Sequence, residues 1–184
     1  MQQKVPGTSI PFDGSHSLFE KYRPLIEAAD GLTLSQVCSI TGLEPSTIQN
    51  WVKRHFVSRP VNKKYRERQL ARILLISSLR DCMKLEQIGG LMKIVNGDAD
   101  DTSDDIISEE QMYDYLCMVT AQAAKSGAAF SQIPSIVSQV TSGYQPNQPD
   151  ASQRLENVLT VMTYAYLSGV YKQEADRLYN SIRR

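Results

Sequence analysis

Residues 33–54 read TLSQVCSITGLEPSTIQNWVKR, and the fold turns on this stretch. Thr33 can cap a helix in which Val37 and Ile40 follow Leu34 at helical spacing, and Thr41-Gly42 stops it. Glu44-Pro45 then opens a second helix, with proline where its missing N–H is harmless. On that helix Ile48, Trp51 and Val52 lie at i, i+3 and i+4, and Leu43 and Phe56 close the ends of the stripe. At about 100° per residue, with Ile48 at zero, Trp51 and Val52 fall at roughly 300° and 40°, while Ser46, Gln49, Asn50 and Lys53 fall between roughly 100° and 200°. One face is apolar; the other is entirely hydrogen-bonding.

Two short helices joined by a tight glycine turn form a helix-turn-helix arrangement, whose second helix can enter the DNA major groove. Gln and Asn can pair bidentately with adenine, Lys donates to guanine acceptors or phosphate, and Ser adapts to either. Any surface helix has a polar outer face, so the flanking sequence matters. Residues 53–72 carry Lys53, Arg54, Arg59, Lys63, Lys64, Arg66, Arg68 and Arg72 against Glu67 alone, a footprint for a polyanion. His55 to Tyr65, broken by Pro60, is expected to form a hairpin-like wing. A helix for base contacts beside a basic loop for phosphates is the division of labour that DNA recognition requires.

Working outward, 67–81 and 85–95 read as helices with Leu70, Ile73, Leu74, Leu85, Ile88 and Leu91 inward. Upstream, Pro6, Gly7, Pro11, Gly14 and Pro24 predict a loose arm and a short helix or two over 1–30. Downstream, 97–107 reads as an acidic linker that divides the chain. Ser108 and Gln111 spell a capping box, with Ile107 and Met112 at the staple positions. A helix then carries Met112, Leu116, Val119 and Ala123 inward to Ser126-Gly127, and a shorter helix is expected over 133–140. From about Asp150 to Ile182, Leu155, Leu159, Met162 and Tyr166, then Tyr171, Ala175, Leu178 and Ile182, lie on near-heptad seams whose phase slips at Ser168-Gly169, which predicts a kink or two helices.

With 184 residues, 41% apolar and 22% charged, the chain can bury a core but has no room for a large enzyme. The formal charge of zero hides an asymmetry: 14 Lys/Arg against 8 Asp/Glu up to Asn96, and 6 against 12 after it. No segment approaches the roughly 18 apolar residues of a membrane span, and no basic leader precedes an apolar core, so a soluble cytoplasmic protein is expected. Cys38, Cys82 and Cys117 read as small buried hydrophobes. Asp98, Asp100 and Thr102, with Glu109 eleven positions after Asp98, partly match a calcium loop, but Ser103 replaces its glycine, and a solvated linker fits better. His16 and His55 have no second ligand at helical spacing, and no phosphate loop or nucleophile motif occurs, so no metal, cofactor or active site is expected. Tyr164, Tyr166, Tyr171 and Tyr179 read as core or dimer seam, or as the lining of a ligand pocket.

The run from Thr33 to Asn96 resembles the winged helix-turn-helix domain of MerR-type bacterial transcription regulators and, more closely, the bacterial domain-of-unknown-function family 1836. Thr47-Ile48-x-Asn50-Trp51-Val52-Lys53, Pro60-x-x-Lys63-Lys64-Tyr65, and the helix Leu70 to Leu79 followed by Leu85-Glu86-Gln87-Ile88 carry the likeness. It implies that Ser46, Gln49, Asn50 and Lys53 face the groove and that Lys63, Lys64, Tyr65 and Arg66 grip phosphates.

The expectation is therefore a mainly α protein: a MerR-like winged helix-turn-helix with a small β wing over 31–96, followed by a helical region over 108–184 that dimerises or receives a signal. Its expected DNA-binding set is Ser46, Thr47, Gln49, Asn50, Lys53, Arg54, Arg59, Lys63, Lys64, Tyr65 and Arg66. The expected partners are double-stranded DNA and a second copy, with a small-molecule or protein effector left open and no membrane. The alternative is a non-enzymatic adaptor whose basic face docks an acidic protein.

Overall fold

The computed structural model describes residues 4–11, 18–97 and 103–183. Among them the chain is mainly helical: α1 (Leu18–Ala28), β1 (Leu32–Thr33), α2 (Leu34–Thr41), α3 (Pro45–Lys53), β2 (Lys64–Tyr65), α4 (Glu67–Leu79), α5 (Leu85–Asn96), α6 (Glu109–Ser126), α7 (Ile133–Val140) and α8 (Ala151–Ile182). A single 3-10 turn at Phe130–Gln132 leads into α7. The two strands pair antiparallel, Leu32 opposite Tyr65 and Thr33 opposite Lys64.

Local signals set the helix ends. Thr33 accepts from the Gln36 amide, and Gln36 Oε1 accepts from the Thr33 amide at 2.8 Å, a complete capping box. Gly42 stops α2 at φ 72, a left-handed angle that a side chain would disfavour. Ser108 caps α6 by accepting from the Gln111 amide, but the Gln111 side chain turns away to the Tyr115 hydroxyl, so the box expected there is half formed.

α4 is the hub. Leu70, Ala71, Ile73, Leu74, Leu75, Ile76 and Leu79 are buried around nearly its whole circumference, as expected of a helix enclosed on several sides. α1, α2, α5, α6 and α8 all pack on it. One core therefore continues from Val37, Ile48 and Trp51 through α4 to Met112, Leu116, Val158 and Met162.

Several expectations are corrected. Residues 4–11 are docked rather than loose: Val5 and Thr8 are buried, Val5 N donates to Ile10 O, Ser9 N to Ile40 O, and the Tyr113 hydroxyl to Pro6 O at 2.7 Å. Gly7 makes this possible, because a Cβ there would lie 2.3 Å from the Leu74 carbonyl oxygen. The short helix expected after the arm is present as α1, which runs through Pro24. α8 is likewise continuous through Gly169, so the slip in apolar phase marks a change of surroundings and not a second helix. Among the cysteines, Cys117 is buried and Cys38 half-buried, but Cys82 is exposed in the turn after α4.

The acidic stretch is tied at its base. Ile106 N donates to Val95 O, the Asn96 amide group donates to Ile107 O, and Ile106 and Ile107 are buried. Asp98, Asp100 and Thr102, like His16, lie outside the described residues.

Candidate nucleic-acid interface

α3 divides its two faces as its period requires. Ile48 and Trp51 are buried and Val52 half-buried, whereas Ser46, Gln49, Asn50, Lys53 and Arg54 are exposed and Thr47 lies at the boundary. Behind α3 the chain turns sharply: His55 takes φ 61, Phe56 N returns to Trp51 O, and Val57 enters the core. The Phe56 ring meets α5 at Gly89, where a Cβ would lie 2.9 Å from Cε1. That contact accounts for a glycine in the middle of a helix.

The basic segment after α3 forms a two-residue hairpin. Val61 and Lys64 exchange both backbone hydrogen bonds, at 3.0 and 2.8 Å, around Asn62 and Lys63 with φ 50 and 62. Positive φ at both central residues is the turn whose twist matches paired strands. The stem then joins β1, so the strand preceding α2 holds the base of the hairpin. Gln69, buried in the first turn of α4, fixes that base twice, donating to Arg59 O at 2.6 Å and accepting from the Arg66 amide at 2.7 Å. α2 touches both α3 and β2, which makes helix pair and hairpin one unit.

The basic residues fall into three groups. Lys53, Arg59 and Lys63 are exposed, with no ion pair among the described residues. Arg54 pairs with Glu86 at 2.6 Å and lies over the Phe56 ring, Arg66 pairs with Asp30 at 2.8 Å, and Lys64 Nζ donates to Ala29 O at 3.1 Å. The two ion pairs are solvent-exposed and screened by water, so a phosphate can replace either carboxylate. Arg68 and Arg72 are different, because both turn inward to Glu109 of α6, the latter at 2.7 Å with both side chains almost sealed from water. Arg72 therefore contributes nothing to an external footprint.

Tyr65, expected among the phosphate-gripping residues, is buried and belongs to the core. Its place in β2, with Lys64 facing out, is the alternation of a strand, which a two-residue element hides from sequence reading. Asp30, Glu86 and Gln69 were not legible as parts of this site, since nothing in a linear sequence pairs residues ten to thirty-six positions apart.

Of the tyrosines expected as core, dimer seam or pocket lining, Tyr164 and Tyr166 are half-buried on α8, and Tyr171 and Tyr179 are exposed. No described helix is long and apolar enough to cross a membrane.

The region just described coincides with a family match. Residues 27–116 match the family described as a domain of unknown function, DUF1836. The match takes in α2 through α5 and ends inside α6, beyond Glu109, the buried counterion of Arg72. The chain is also similar to the uncharacterized protein YkrK of Bacillus subtilis (strain 168), with 32% identity over 90 residues, covering 47% of this chain and 39% of that protein. The chain thus spans about two fifths of that relative's length. No solved structure matches the chain significantly.

Proposed function

We propose that the unit from β1 to α5 is a winged helix-turn-helix of MerR-like type that binds double-stranded DNA in a sequence-specific way and thereby regulates transcription. α3 lies in the major groove and the Val61–Lys64 hairpin is the wing on the phosphates. The observation that carries the reading is the face of α3: Ser46, Gln49, Asn50 and Lys53 form one exposed hydrogen-bonding surface backed by buried Ile48 and Trp51. Amide side chains on a rigid helix suit base edges. Lys53, Arg59 and Lys63 supply the first phosphate contacts, and Arg54, Lys64 and Arg66 join by exchanging weak surface partners for phosphate. Affinity then comes largely from released counterions and falls steeply with salt.

One recognition helix reads only a few base pairs, so a specific site needs two copies. The test is selection of bound sequences from a random duplex pool by the full chain near physiological salt. An enriched motif, expected as an inverted repeat with half-sites about one helical turn apart, supports the reading. No enrichment, together with no salt-sensitive binding to bulk DNA, would assign the basic face to an acidic protein partner instead.

A further inference from the structure

α8 is 32 residues long, and its two halves live in different surroundings. Up to Gly169 its inner face is buried through Leu155, Val158, Leu159, Met162 and Thr163. From Tyr171 to Ile182 no residue is buried, and only Glu174 is even partly covered. The Gln173 amide group donates to Asp81 Oδ2 at 2.7 Å and ties the first turn of this half to the body. The rest extends about 13 Å further at about 1.5 Å per residue, and a helical segment of that size is marginal in water without packing. The exposed side of the whole helix is not polar. Val161, Tyr164, Ser168, Tyr171, Ala175, Leu178 and Ile182 follow at steps of three and four, the spacing of a coiled-coil seam. Val161 is 43% exposed, Tyr171 66%, Leu178 51% and Ile182 81%. Phe130, 58% exposed, extends the patch, its ring centroid 6.0 Å from that of Tyr164 with the planes tilted by 49°.

We infer that this seam is a self-association surface, on which the projecting half of α8 from one copy lies antiparallel along Val161 to Ser168 of a second copy. The volumes along the seam choose the occupant and its direction. With a two-fold axis at Gly169-Val170, Val161 faces the second copy's Leu178, Tyr164 faces its Ala175, and Ser168 faces its Tyr171. Each tyrosine meets a small residue and the two aliphatic side chains meet one another, as close packing requires. A parallel pair would stack Ser168 on Ser168 and Ala175 on Ala175, leaving gaps between the tyrosines. The flanks carry Lys172, Glu174, Asp176 and Arg177 in balanced number, so no like-charge barrier opposes a second copy. The contact is isologous: each projecting half covers the exposed seam on its partner's body and is covered in return. The seam lies outside residues 27–116, and the inference does not rest on the DNA reading.

The test is the mass of the full chain by sedimentation at tens of micromolar. The expected value is twice the 20.6 kDa of one chain, and Leu178→Glu and Val161→Lys should each halve it. Combining both changes in one chain brings opposite charges face to face across the axis and should restore the dimer. Both positions are exposed, and unchanged helical circular dichroism confirms that the body remains folded. A wild-type mass of one chain, or a dimer indifferent to Leu178→Glu, overturns the inference. Loss of the dimer in both single variants without rescue in the double variant overturns the antiparallel pairing.

Discussion

Arg72 Nη1 lies 2.7 Å from Glu109 Oε1, with the two side chains 6% and 1% exposed, so an ion pair sealed from water joins α4 to the first turn of α6. Arg68 approaches the same oxygen at 3.4 Å and Asp105 at 3.5 Å. The acidic second part of the chain is thus internally engaged with the basic first part.

Removing one partner strands a buried charge. Arg72→Ala or Glu109→Ala should therefore cost about 3–5 kcal/mol, whereas Arg72→Met combined with Glu109→Leu should recover most of the loss. Urea unfolding midpoints of the three variants check this, and equal losses in all three would contradict it.

Burial pushes the Glu109 carboxyl up to about 7 from its ordinary 4.5, against the downward pull of Arg72 and Arg68. The folded chain then holds a proton that the unfolded chain releases between those values. The group's contribution is complete below pH 4.5 and is lost as pH rises through about 7. Relative to Glu109→Gln, wild-type unfolding free energy should fall with pH across that window. Parallel pH profiles for the two proteins would exclude the effect.

The two kinds of DNA contact should separate. Asn50→Ala is expected to cost about 1–3 kcal/mol on the selected site and to relax base preference, while Lys63→Ala should weaken all duplexes alike and lower the salt slope by about one. Titrations of specific and random duplexes at several salt concentrations read both. Equal losses on both duplexes in both variants would end the assignment of roles.

Lys63 holds φ 62 at the hairpin tip, a conformation costing an L-residue about 1–2 kcal/mol. Lys63→Gly should therefore raise stability by up to about 1 kcal/mol, since Asn-Gly is the preferred pair for this turn. It should weaken DNA binding at the same time. Thermal unfolding and binding of the one variant must move in opposite directions for the proposal to stand.

Gly7→Ala should cost more than about 1 kcal/mol, because φ 72 disfavours a side chain and the new Cβ would meet the Leu74 carbonyl. Faster proteolysis within 4–11 is the expected companion, since the Pro6 contact with Tyr113 would be lost with it.

What the sequence determined by itself is what the chain decides locally. Helical period put Ile48 and Trp51 on one side of α3 and Gln49, Asn50 and Lys53 on the other, and Thr33, Gly42, Ser108 and Gly127 set helix ends through their own backbone chemistry. These are relations among residues three or four apart, and a linear reading contains them. Only the tertiary structure decided which basic residues are free. Arg54, Arg66 and Arg72 find their carboxylates at Glu86, Asp30 and Glu109, 32, 36 and 37 positions away. The same holds for Tyr65, buried by the pairing of β2 with β1, and for residues 4–11, held against α4 and α6. Charge counts treat every arginine in a run alike, but burial changes the energy of each by more than its neighbours in sequence can, and burial is set by which distant elements meet.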